Sequence, residues 1–262
     1  MNMLAKTGEG ALIRIRRVVH LSALLLAVLC RAVLPRTWSR PVRNVLARQI
    51  LFTCIEAVPF VSLIACMAGI AIVVQVQFWL NRVGQSSLLG PMLAAIVIRE
   101  AAPLVANFII IGRSGAAISA ELGNMKVGGE VRVLDSQGLD PFLYLVVPRV
   151  LGTAISVFTL AVIFVFLSLA GGFFCGVLVG ANTGVPSVFA DSVFGAISRE
   201  DIFNLLAKTL LPGLLTGAIC CVEGLGVGAA VTEVPQAATR ALVRSVTALF
   251  VITAFVSLLT YL

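Results

Sequence analysis

Charge is scarce in this chain. Only 12% of its 262 residues are Asp, Glu, Lys or Arg, while 60% are hydrophobic and mean hydropathy is +1.08. Soluble domains carry about twice that share of charge. So few polar groups cannot cover a surface in water, which excludes an ordinary cytosolic enzyme, a disordered chain and a nucleic-acid-binding module. Histidine is limited to His20, which leaves a serine nucleophile with no imidazole base on any later apolar run. The six cysteines (Cys30, Cys54, Cys66, Cys175, Cys220 and Cys221) form no C-x-x-C pair and lie in or beside apolar stretches. They read as small buried hydrophobes rather than metal or redox ligands. No G-x-x-x-x-G-K-[ST] string occurs, so no P-loop cradles a nucleotide phosphate here. No catalytic, metal or cofactor set is expected.

What is present is a series of long apolar runs and a formal net charge of +7. The chain reads as an all-α integral membrane protein, in which the placement of Lys and Arg encodes orientation. Residues 1–50 hold nine Lys/Arg and one Glu. Ile13 to Leu34 is long enough to span a membrane but is ringed by arginine. An amphipathic helix in the interface is expected there, broken by Pro35 and Pro41. No small-x-small site follows it, and Leu29 stands before Cys30, so the segment is expected to be retained. Leu51–Leu80, Leu88–Ile111, Ile202–Val222 and Ala241–Leu262 each offer the roughly 20 apolar residues of a crossing. Val150–Ala181 has 32 residues without a charge, long for one span and short for two, and Gly171-Gly172 marks the place for a bend. With the N-terminus cytoplasmic and this run counted once, 15 of the 19 Lys/Arg fall inside. Counting it twice puts Arg240 and Arg244 outside. Five spans are therefore expected.

Residues 112–149 form the most informative loop. Gly112, Ala116 and Ala120 share one helical ridge, and Gly115, Ser119 and Gly123 another; such ridges let backbones approach closely. Arg113 and Glu121 lie in the same stretch. A short helix is expected between Lys126 and Gly138, with Val127, Val131 and Leu134 on one face. It either docks a soluble partner or rests on the membrane surface. Arg99-Glu100 sits in mid-span, where an ionisable residue costs about 2.5–3.5 kcal/mol on insertion scales. Each side chain pairs with another helix or subunit, or the two form a polar point in a substrate path. Glu56 reads as an interface residue. Gly112-Arg113-Ser114-Gly115 matches the G-x-S-G string of intramembrane proteases but has no base.

Arg99-Glu100-x-x-Pro103, Gly112-Arg113-x-Gly115-x-Ala117, Ala120-Glu121-Leu122-Gly123-x-Met125-Lys126, Gly138-x-Asp140-Pro141 and Val147-Pro148-Arg149 follow in order, with Ala237-x-Thr239-Arg240 before the last span. Together they resemble the MlaE/YrbE family, the permease subunits of ABC transporters that move phospholipids or other lipids between bacterial membranes. The resemblance implies a basic interfacial segment over 1–49 and a permease domain over 50–262. It implies a homodimer in the inner membrane with a cytoplasmic N-terminus, a cytoplasmic ATPase, a periplasmic MCE-domain protein and, in some systems, a STAS-domain protein. A phospholipid would sit in a cavity at the dimer interface, lined by the Arg99-Glu100 helix. The 126–138 helix, with Lys126, Glu130, Val131, Arg132, Leu134 and Asp135, would contact the ATPase. The family pattern T-E-Q-hydrophobic-D-A-L reads here Gly128-Gly129-Glu130-Val131-Arg132-Val133-Leu134, which inverts one charge and introduces two glycines. A different class, an ion-coupled transporter or channel using Arg99-Glu100 as a relay, remains the alternative.

Overall fold

The computed structural model describes residues 2–34, 38–84, 88–178, 186–228 and 230–261, and every regular element among them is helical. Helix α1 (Asn2–Val33) leads to α2 (Arg40–Thr53). Pro41 opens α2 rather than breaking a helix, because a proline in the first turn forfeits no intrahelical hydrogen bond; Pro35 lies outside the described residues. Helix α2 passes through a single tight turn, Ile55–Ala57, into α3 (Val58–Val83), so the compositional boundary at 49/50 falls inside α2. The long α4 (Leu89–Val127) and the short α5 (Glu130–Ser136) come next. They are followed by α6 (Phe142–Val177), α7 (Pro186–Phe194), α8 (Arg199–Leu225) and α9 (Glu233–Tyr261).

Among the described residues, five stretches are long and apolar enough to cross a membrane: Arg40–Leu80, Leu89–Val127, Phe142–Val177, Arg199–Leu225 and Glu233–Thr260. The protein is thus a multi-pass membrane protein. Helix α1 contributes only the shorter apolar stretch Val18–Val33. Apolar side chains also cover outward faces, as on α3 with Phe60, Leu63, Met67, Phe78 and Trp79. Such a stripe suits lipid and would be a liability in water.

Helix α6 is the hub, with α2, α3, α4 and α8 all packed on it, while α9 leans on α8 and the second half of α4. One core joins α3, α4, α6 and α7 around Val61, Leu93, Leu160 and Phe164. A second joins α1, α4, α6, α8 and α9 around Val28, Ile118, Leu145 and Cys221. The run is not broken at Gly171-Gly172: α6 continues as a helix through both residues. Positions 179–181 lie outside the described residues. The two glycines serve close packing instead. A Cβ on Gly171 would lie 2.7 Å from Cys66 Sγ, and one on Gly172 would lie 2.7 Å from the carbonyl oxygen of Gly69. Two backbones meet here with almost nothing between them, the arrangement small residues permit in membranes. All six cysteines are free, and Cys54, Cys220 and Cys221 are buried. Cys30 and Cys66 are exposed instead.

Gly129, with φ of 78°, sets the start of α5. The left-handed turn ends α4 after Val127 and lets the chain restart at Glu130, so the short helix is Glu130–Ser136 rather than the whole of 126–138. Lys126 and Val127 belong to α4.

Candidate functional site

A chain of local requirements builds the polar centre of the molecule. Around Arg99 and Glu100, α4 widens into π-helical turns over Ala94–Ala101, a distortion that recurs at functional sites. Pro103 follows. It has no N–H to give to the carbonyl four residues back, which frees the oxygen of Arg99. Lys208 of α8 takes that oxygen at 3.1 Å and pairs with Glu100 Oε1 at 2.6 Å. Ser257 of α9 donates to the same carboxylate at 3.3 Å. Asn107, one turn beyond the proline, donates to the carbonyls of Pro103 at 2.7 Å and Lys208 at 3.1 Å.

Arg99 pairs with Asp201. That aspartate also completes the N-terminal cap of α8: Ser198 accepts from the Asp201 N–H at 3.3 Å, and the Asp201 carboxylate accepts from the Ser198 N–H at 2.8 Å. Asp201, Asn204 and Lys208 recur at helical spacing on one face of α8. Adjacent residues on α4, pointing in different directions around its axis, thus each reach a separate counter-charge on α8. The four charges sum to zero. Their exposure is uneven: the side chains of Arg99 and Glu100 are 26% and 45% exposed, those of Asp201 and Lys208 1% and 0%. The accessible members face outward and the buried ones hold them. Asn204, fully buried, has no hydrogen-bond partner on either amide atom.

Beside this cluster, α8 and α9 enclose an open groove of about 570 Å³, with Arg199 and Glu200 at its polar lining and Phe203, Leu211, Phe255 and Leu259 among its apolar walls. One charged part and one greasy part suit an amphiphile better than a hydrophilic solute.

Among the described residues, three further ion-pair groups lie toward the other end of the bundle. Arg113 meets Glu56 at 2.7 Å and the carbonyl of Phe52 at 3.3 Å. Arg149 meets Glu121 at 2.8 Å. Glu223 holds both Arg240 and Arg244, joining α8 to α9. Of the two small-residue ridges, Gly115, Ser119 and Gly123 face α8, Val227 and Val234, and a Cβ on Gly115 would meet Cys220 Sγ at 3.2 Å. Gly112 is exposed and nothing lies within 4 Å of its would-be Cβ; Ala116 and Ala120 are half-buried. On α5, Val131 and Leu134 are half-buried against the protein's own core. Glu130, Arg132, Val133, Asp135 and Ser136 are the exposed residues of α5. Lys126 donates to the Leu225 carbonyl and so ties α4 to the end of α8. Ser114 is fully buried, and His20 lines a different cavity beside Cys221 and Leu225, so no nucleophile–base pair forms.

Sequence reading alone marked Arg99 and Glu100 but missed Asp201, Asn204 and Lys208. A signal existed for Lys208: it is a charge within an apolar run, and Pro103 leaves a buried carbonyl that needs a donor.

Residues 46–259 match the family model described as permease MlaE. A probable ABC transporter permease protein of Synechocystis sp. is 30% identical over 79% of this chain and 78% of its own length. One from Rickettsia typhi is 28% identical over 77% of each. The chloroplastic Arabidopsis thaliana protein trigalactosyldiacylglycerol 1 is 27% identical over 72% of this chain and 53% of its own length.

Proposed function

The chain belongs to the MlaE permease family, and on that footing we propose that it is the membrane subunit of an ABC transporter that moves phospholipid or a related lipid. It works as a homodimer in a bacterial inner membrane, with a lipid cavity at the subunit interface. A separate ATPase drives it from the cytoplasmic side, and a periplasmic MCE-domain protein receives or delivers the cargo; a STAS-domain protein is a further partner in some such assemblies. The observation that carries this reading is the half-exposed Arg99–Glu100 pair, anchored by buried counter-charges beside a largely apolar groove. A zwitterionic or anionic head group finds both signs of charge there, and acyl chains find Phe203, Phe255 and Leu259. The name of the Arabidopsis relative, which is that of a galactolipid, supports a lipid cargo. The excess of Lys and Arg at one end supports a cytoplasmic N-terminus.

In this reading α5 receives the ATPase through its exposed Glu130, Arg132 and Asp135, while Val131 and Leu134 transmit the push into the second core. Lys126, through the end of α8, carries the same motion toward the Lys208 face. The ridge beginning at Gly112 supplies subunit contact. The positive charge of Arg132, where the family pattern has an acid, calls for a complementary acidic surface on the partner.

The test is reconstitution of the chain with its co-purifying ATPase in liposomes containing a fluorescent phospholipid. Transfer should require ATP. Reversing Arg132 to Glu, an exposed change that leaves the fold intact, should lower ATP-dependent transfer by about tenfold or more, as loss of a charge pair at an interface does. ATP-independent movement of an ion or solute by the chain alone would instead establish the relay reading.

A further inference from the structure

We propose that a second lipid site lies between α2, α4 and α6, taking the phosphate head group of an anionic phospholipid from the leaflet on the basic side of the membrane. It is separate from the Arg99–Glu100 cluster, and it rests on the reading above only for naming that leaflet the cytoplasmic one. The cavity measures about 530 Å³ and includes Arg48, Phe52, Glu121, Met125, Tyr144 and Arg149 in its lining.

Its electrostatics are unbalanced. Arg149 is only 5% exposed, and it donates to the Leu145 carbonyl at 3.1 Å and to Glu121 at 2.8 Å. Its Nε has no acceptor. Arg48 reaches the same cavity and has no carboxylate within ion-pair distance among the described residues. The cavity thus holds two guanidinium groups and one carboxylate, which pairs with Arg149 alone, and Glu121 is itself 57% exposed. A buried cation with incomplete partners is costly, and an anion in the cavity would complete the set with charge-assisted hydrogen bonds.

The apolar remainder of the lining argues for a lipid rather than free phosphate. Phe52, Met125 and Leu145 offer nothing to an inorganic anion, but they fit a glycerol backbone and the first methylenes of its chains. Helix α2 continues into α3, whose outward Phe60, Leu63 and Met67 give those chains an apolar track into the bilayer.

The experiment uses the full chain in phosphatidylcholine nanodiscs doped with phosphatidylglycerol. After extraction, retained lipid is counted by native mass spectrometry. The wild-type chain should retain phosphatidylglycerol in preference to phosphatidylcholine. Arg48→Glu, on an exposed side chain, should weaken retention by about tenfold, the scale of one charge-assisted contact. Arg43→Glu, exposed on the same helix but outside the cavity lining, should change it by less than about twofold, as a charge screened by solvent does. Arg149→Gln should also lose the lipid; if that variant fails to fold, Arg48→Glu decides alone. Equal losses from the Arg43 and Arg48 variants would reveal general attraction of a basic helix and overturn the site, as would no loss from Arg48→Glu. Displacement by glycerol 3-phosphate as effectively as by lipid would overturn the lipid assignment in favour of a soluble phosphate ester. The assay contains neither nucleotide nor ATPase, so its failure leaves the transport reading standing, and failed transport leaves this site standing.

Discussion

Replacing Glu100 with leucine should destabilise the protein more than replacing Lys208 with methionine, although the two side chains form one ion pair. The reason is which charge is left behind. Loss of Glu100 strands Lys208, whose side chain is 0% exposed, and an uncompensated buried charge costs about 3–5 kcal/mol. Loss of Lys208 strands Glu100, which is 45% exposed and keeps its contact with Ser257. The main penalty is then the unpaired Arg99 carbonyl, about 1–3 kcal/mol. By the same argument Arg99→Met should be severe, because it abandons Asp201 at 1% exposure. Unfolding midpoints in detergent would rank the variants, and equal midpoints for the two Glu100–Lys208 variants would refute the argument. The double replacement Glu100→Leu with Lys208→Met should recover most of the loss, since apolar side chains of similar volume substitute well for a buried pair. Its transport then separates two roles. A folded double variant that moves no lipid locates the charges in the transport path, and an active one makes them purely structural.

Alanine at Gly69 should be among the most damaging small substitutions in the chain, whereas alanine at Gly112 should leave the single chain unharmed. A methyl on Gly69 would collide with the carbonyl of Ser168, which is backbone on a packed helix and cannot rotate aside. Overpacking costs about 1–3 kcal/mol where side chains can adjust, and here the upper end or more is expected. Helix α3 would have to move off α6, the hub of the fold. At Gly112 nothing lies within 4 Å, and alanine gains about 1 kcal/mol of helix propensity over glycine. Thermal scans of the two variants check the contrast. Size-exclusion of the Gly112 variant adds a second reading: a folded chain that no longer dimerises would place the subunit contact on this ridge.

Arg132 illustrates a limit of motif reading. Its charge is visible in the sequence as a departure from the family pattern, but its availability to a partner is not. That depended on α5 starting at Glu130, after the left-handed turn at Gly129. With Val131 and Leu134 half-buried against the second core, the exposed side of the helix carries Glu130, Arg132, Val133 and Asp135.

The five spans were legible in the chain because a bilayer imposes one simple demand, about 20 consecutive apolar residues, and the scarce charges made every interruption conspicuous. For the same reason Arg99 and Glu100 stood out: a charge in mid-span is expensive wherever its partner lies. The partners themselves were not legible. Glu100 and Lys208 are 108 positions apart, and no local periodicity links them; only the packing of α8 against α4 brings them together. Gly171-Gly172 shows the same division, since the pair was visible while its role depended on α3 lying against it. Local chemistry determines where the chain crosses and which residues are costly, whereas the pairing that makes those residues affordable is a property of helices meeting in three dimensions.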